Sequence, residues 1–234
     1  MRIVSTGNYE SMSQHCVSRM LELVSEKADA RIVLATGYSP LLAYRLFAKR
    51  VLDEQVDVRH VTWIKLDEWL GVPEGDLSTC EHFLNAEILT PLRVHPDHYI
   101  GFDSMCVDAK AECARVSEMM ADGGIDLMIL GIGKNGHIGL NEPAAALHCL
   151  AHVSVLAETT KRHQMLTETH CAPKCGLTLG MGDVFSAREI ILLCAGEGKA
   201  QALAAIMSGQ ITTDIPITLL QLHSNTMCIV DRPI

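Results

Sequence analysis

Apolar residues follow two kinds of pattern along the chain. Short continuous runs occur at Ile32–Ala35, His60–Leu66, Asp126–Leu130, Val153–Leu156, Ile190–Cys194 and Met227–Val230, and such runs predict strands buried on both faces. Between them lie longer stretches, most of them apolar at every third or fourth position: Ser11–Ser25, Pro40–Val51, Cys80–Leu89, Asp108–Ala121, Lys199–Ser208 and Pro216–Leu222. That period predicts amphipathic helices. Strands alternating with helices imply an α/β, doubly wound fold: a mostly parallel sheet with helices on both faces. No Pro- or Gly-rich linker, internal repeat or low-complexity tract divides the chain.

Composition narrows the function. With 234 residues, 48% of them hydrophobic and 20% charged, the chain can build one well-cored domain, or at most two small ones, and is too apolar to be disordered. Lys and Arg number 19 against 28 Asp and Glu, a formal net charge of −9, so a polyanion would bind against the overall field. No nucleic acid is expected as a main partner. The opening Met1–Asn8 turns polar too soon for a secretory signal, and no uncharged apolar run reaches membrane-spanning length, so a cytoplasmic protein with no membrane partner is expected. Nine cysteines, scattered from Cys16 to Cys228, lack the spacing of a disulfide framework and read as reduced, small hydrophobes. Thiols and an imidazole cluster at His170-Cys171-Ala172-Pro173-Lys174-Cys175, but no second Cys/His pair stands at finger-like spacing to complete a closed zinc site. No metal is expected.

Ligands of doubly wound sheets bind beyond the carboxyl ends of the strands, and four of the loops there carry chemistry. Thr36-Gly37-Tyr38-Ser39-Pro40 reads as a tight turn into a helix, with Ser39 as N-cap and Pro40 at the first helical position. It is either an ordinary capped turn or an anion cradle. Gly196-Glu197-Gly198-Lys199 repeats that pattern and sets a lysine at the positive end of a helix dipole, where a bound phosphate would offset the misplacement and exposure to solvent would explain it equally well. The loop Gly131–Pro143 contains G-x-G-x-x-G, with Glu158 at the distance of a ribose-binding acid. Gly139 and Pro143, however, break the helix that a dinucleotide fingerprint must open, and His137 with Glu142 looks like acid–base equipment. Finally, Asp67-Glu68 puts two carboxylates at a strand's end, so at least one should be paired, exposed or catalytic, or else form a helix cap.

In their order and spacing, Leu66-Asp67-Glu68-Trp69, the Gly-His-Ile-x-x-Asn-Glu-Pro core of Gly131–Pro143, and Gly198-Lys199-Ala200 resemble the glucosamine/galactosamine-6-phosphate deaminase/isomerase family. The likeness runs from Thr36 to Leu220-Gln221-Leu222-His223 and is greatest to the galactosamine-6-phosphate branch. Asn141-Glu142-Pro143 separates the chain from the sister 6-phosphogluconolactonases, which share the Gly-His element. The resemblance implies a modified Rossmann-like fold, one sugar-phosphate domain over residues 1–234, and an aldose–ketose isomerisation coupled to deamination that needs no cofactor. The partner would be a small-molecule sugar phosphate, with a homo-oligomer left open. Galactosamine 6-phosphate giving tagatose 6-phosphate and ammonia is the expected reaction. The alternatives are a glucosamine-6-phosphate deaminase giving fructose 6-phosphate, and a non-catalytic sugar-phosphate sensor, against which the intact Asp67, His137 and Glu142 speak.

Carried over residue by residue, Asp67 would move a proton from C2 toward C1 and His137 would open the pyranose ring, paired with Glu142. Gly37, Tyr38 and Ser39 with Lys199 would hold the 6-phosphate, aided by Arg162, preferred to Lys161 for its bidentate fork. Three departures stand out. Asn135 occupies the place of an aspartate in the glucosamine enzymes, so the histidine keeps one carboxylate partner. Ala145 and Ala146 stand where allosteric members carry serines, which implies unregulated, hyperbolic kinetics. Trp69, where glucosamine enzymes tend to have tyrosine, and Lys134 with Asn135 are the positions that bear on the choice between C4 epimers.

Overall fold

Seven strands form one parallel sheet: β1 (Arg2–Ser5), β2 (Arg31–Leu34), β3 (Thr62–Lys65), β5 (Tyr99–Ile100), β6 (Leu127–Gly131), β9 (Ile190–Cys194) and β10 (Thr226–Val230). Their order is β1-β10-β9-β6-β2-β3-β5, parallel at every step. The computed structural model describes residues 1–166, 171–196 and 198–233. Because strand side chains alternate between faces, Val33, Ile64, Met128, Leu130 and Leu192 pack on one side of the sheet with α4 (Ala109–Ala121) and α6 (Ala200–Met207). Ile32, Leu34, Trp63, Ile129 and Leu193 pack on the other with α1 (Tyr9–Glu26) and α2 (Tyr38–Glu54). Both faces are thus covered, the α/β arrangement that continuous apolar runs demand.

A second sheet was not anticipated. β4 (Asp67–Trp69), β7 (His152–Val155) and β8 (Cys175–Thr178) form an antiparallel trio in the order β4-β8-β7. The chain leaves β3 at Lys65 and enters β4 at Asp67, so the run expected as one strand over His60–Leu66 ends between two sheets. The stretch expected as Val153–Leu156 belongs to this trio and not to the main sheet.

The start of α2 corrects the expected cap. Gly37, with φ +94°, is the N-cap residue, and Tyr38 opens the helix. Ser39 and Pro40 lie inside the first turn, where a missing N–H breaks no helical hydrogen bond. Likewise Cys80–Leu89 divides into α3 (Cys80–Leu84) and a π-helical turn, Asn85–Leu89, while Pro216–Leu222 is a 3₁₀-helix.

Candidate active site

Between β2 and β6 the strand order reverses: β2 leads outward to β3 and β5, β6 to β9 and β10. The loops there part and leave a crevice. It is a cavity of about 1000 Å³ whose lining includes Gly37, Ser39, Asp67, His137, Arg162 and Lys199. Residues more than 130 positions apart thus share one cleft.

The loop after β6 opens no helix, which removes the dinucleotide reading, and Glu158 is exposed and paired with Lys161 at 2.7 Å. Instead the loop folds His137 against its own carboxylate. Glu142 Oε2 lies 3.5 Å from His137 Nδ1, and Asn135 Nδ2 donates to the same oxygen at 2.8 Å. Ala157 N donates to Oε1 at 3.2 Å, and Thr160 Oγ1 sits 3.2 Å from His137 Nδ1. Partial burial opposes ionisation of Glu142, but His137, Thr160 and Asn135 outweigh it and hold its pKa near 2. A carboxylate ionised at all working pH values holds a proton on the facing Nδ1 and leaves His137 Nε2 for exchange with a ligand. Gly133 provides the room: a Cβ there would stand about 2.4 Å from the imidazole. Asn135, the departure from the glucosamine pattern, serves Glu142 through its amide, where an aspartate would set a second negative charge against it.

The two carboxylates at β4 divide their tasks. Glu68 is fully buried and receives Lys65 Nζ at 2.8 Å and the backbone N–H groups of Trp69, Cys80 and Glu81 at 2.8–2.9 Å, so it is a structural anchor. Asp67 lines the cavity with few donors. Cys80 Sγ approaches its Oδ1 at 3.7 Å, and Thr36 Oγ1 reaches Cys80 Sγ at 3.4 Å. Burial first, then the charge of Glu68, raises its pKa to about 7 despite the opposing pull of His137. An acid poised there can accept and return a proton near neutrality.

Another part of the cleft lining suits an anion. Tyr38 and Ser39 begin α2 with backbone N–H groups outside the helical ladder, and Pro40 has none. Tyr9 stacks on Tyr38 with ring centroids 4.8 Å apart and donates its hydroxyl to Tyr38 O at 2.5 Å, bracing this turn. Lys199 reaches across to donate to Ile132 O, and burial followed by the nearby Lys134 lowers its pKa. Arg162 lines the cavity while Lys161 is paired with Glu158.

Sequence reasoning missed Thr160, Cys80 and His163 as members of this site. Each reaches it through the tertiary course of a loop, and none carries a local motif. His223, within the closing segment of the resemblance, is buried at 2.8 Å from Ala187 O, away from the cavity lining. His170 of the thiol cluster lies outside the described residues.

Residues 6–229 match the family model described as glucosamine-6-phosphate isomerases/6-phosphogluconolactonase. An Escherichia coli K12 protein provisionally named the deaminase AgaI is 40% identical over 96% of this chain and 89% of its own. A glucosamine-6-phosphate deaminase of Clostridium perfringens (strain ATCC 13124) is 34% identical over 99% of this chain and 97% of its own. The solved structure of a monomeric glucosamine-6-phosphate deaminase superposes with a TM-score of 0.94 at 31% identity, covering 99% of this chain and 98% of that one.

Proposed function

The chain belongs to the glucosamine-6-phosphate isomerase/6-phosphogluconolactonase family and is an amino-sugar 6-phosphate deaminase/isomerase, and we propose that its substrate is glucosamine 6-phosphate, converted with water to fructose 6-phosphate and ammonia. The observation that carries the mechanism is the presence of Asp67 and His137 in one cavity that the helix-opening turn at Gly37 also lines.

Isomerisation must begin by opening the pyranose, which needs a proton delivered to the ring oxygen as the C1 hydroxyl loses one. His137 Nε2, set by Glu142, is the group for this exchange. Asp67 then takes the proton from C2, giving an enolamine, and returns it to C1. The resulting C2 imine is hydrolysed by water, which releases ammonia. No step calls for an external redox partner, since C2 is oxidised as C1 is reduced. Tyr38, Ser39, Lys199 and Arg162 hold the 6-phosphate.

The choice of sugar rests on the relatives named as glucosamine-6-phosphate deaminases, at 31–34% identity; the name of the 40% identical deaminase AgaI specifies no sugar. The galactosamine 6-phosphate preference expected from the motifs keeps one observation on its side, since Trp69 and Lys134 line the cavity. Trp69 Nε1 already donates to Ser78 O at 3.1 Å, so its ring offers shape to a C4 hydroxyl and no spare donor. The two epimers tested side by side for ammonia release and ketose formation decide the matter. Higher kcat/KM for glucosamine 6-phosphate is expected, the reverse order moves the assignment to galactosamine 6-phosphate, and no ammonia from either overturns the reading.

A further inference from the structure

His163 lies in the wall of the cavity, on the loop that also carries Arg162, and nothing in the acid–base assembly uses it. Its orientation is fixed from two sides. Met165 N donates to Nδ1 at 3.3 Å, and the ring sits 6.0 Å from Trp69, centroid to centroid. A neutral imidazole whose Nδ1 accepts a backbone N–H carries its own proton on Nε2. That edge faces the turn at the start of α2: a Cβ placed on Gly37 would stand 3.7 Å from His163 Cε1 and 3.8 Å from Nε2. Gly37 therefore leaves room between the turn that carries the free amides of Tyr38 and Ser39 and the Cε1–Nε2 edge of the imidazole.

We propose that His163 is a phosphate ligand, donating Nε2–H to an oxygen of the 6-phosphate seated at the Gly37 turn. This rests on the reading of that turn as the phosphate site. Burial first, then the positive surroundings of His137, Lys199 and Lys134, lowers the imidazole pKa to about 4, so the empty site holds it neutral with the pocket-facing proton in place. A dianion beside it reverses those repulsions, strengthening the contact as phosphate enters.

Two substitutions separate this role from a structural one. His163→Asn keeps an acceptor where Nδ1 meets Met165 N and loses the donor toward Gly37. His163→Gln keeps a donor near the Nε2 position and loses the local acceptor. Inorganic phosphate is titrated calorimetrically into wild type and both variants, and KM is measured for glucosamine 6-phosphate. The expected result is binding of inorganic phosphate weakened roughly ten- to hundredfold in His163→Asn, a parallel rise in KM, and near-normal binding in His163→Gln. Unchanged phosphate binding in His163→Asn, or equal weakening in both variants, overturns the proposal, as does a rise in KM without a change for inorganic phosphate, which would mark a sugar hydroxyl as the acceptor. A wild type that binds no inorganic phosphate overturns the phosphate turn itself. In the unmutated enzyme the His163 Nε2 resonance must shift on adding inorganic phosphate, and a resonance that stays in place also overturns the assignment.

Discussion

Asp67 is the residue at which chemistry and stability pull apart. Its carboxyl is buried and its pKa stands near 7, well above the value near 4 of an unfolded chain. Below about pH 4 both states are protonated and nothing is lost. Between pH 4 and 7 the unfolded chain releases the proton that the folded state retains, so the native state loses stability as pH rises, by a few kcal/mol once both are ionised. Asp67→Asn removes the proposed base and this penalty together. Turnover is expected to fall roughly a hundredfold or more, while Tm rises at pH 8 and changes little at pH 4. Scanning calorimetry at both pH values beside an ammonia assay checks both halves, and a variant that loses activity without gaining stability at pH 8 would show that the carboxylate is better solvated than its burial implies. At the phosphate end, Lys199→Ala should raise KM by roughly tenfold or more, the worth of a charge-assisted contact, with kcat much less affected. An unchanged KM in initial-rate measurements would remove Lys199 from the cradle. Asp67, His137, Glu142 and Lys199 were legible in the sequence because each stands in a short motif beside a strand end. Thr160 and Cys80 were not, since their places beside His137 and Asp67 arise from long-range folding.

Among the elements, the strands legible from sequence are the interior ones. β2, β6 and β9 are buried on both faces and therefore read as unbroken apolar runs. β1 and β5 lie at the edges, β1 with exposed or half-buried residues and β5 only two residues long, and give no such signal. The β4-β8-β7 trio was hidden for another reason: its pairing joins Asp67 to Thr178 and His152 to the same residue, contacts that no local pattern encodes. This small sheet gives Gly139 a role the motif alone does not explain. With φ +56°, a Cβ there would stand 2.8 Å from Thr178 Oγ1 and 3.4 Å from Asp67 Oδ2. Thr178 Oγ1 also receives Leu140 N at 3.1 Å, locking the loop after β6 to β8. Gly139→Ala must displace Thr178 and press on Leu66 Cγ, 3.2 Å away and next in the chain to Asp67, as well as strain the backbone. Gly209, with φ +71° and open space around it, is the matched control for strain alone. Both variants should lose about 1–2 kcal/mol through the backbone, but Gly139→Ala should also lose at least tenfold in kcat/KM while Gly209→Ala keeps it. Denaturant melts with initial rates on the same preparations test this, and equal activities would place the loop–sheet contact outside catalysis.

For the whole molecule, the question is whether one site can sense another. Cooperativity requires a coupling free energy between two sites and two global states that bind ligand differently. Every residue assigned to the cleft here comes from this one chain. The turn after Glu142, where the resemblance to allosteric enzymes would call for effector-binding serines, presents exposed Ala145 and Ala146, which have no hydroxyl to donate to an effector's phosphate. A monomeric glucosamine-6-phosphate deaminase shares this fold over nearly its full length. A monomer with one site per chain can bind only hyperbolically at equilibrium. The missing effector hydroxyls predict a rate that follows substrate with a Hill coefficient of about 1, with no activation by an N-acetylated amino-sugar 6-phosphate, and sedimentation at assay concentration reports how many chains make a particle. A sigmoidal curve from a sedimenting oligomer would require a coupling surface between chains, and removal of cooperativity by dilution would then identify it.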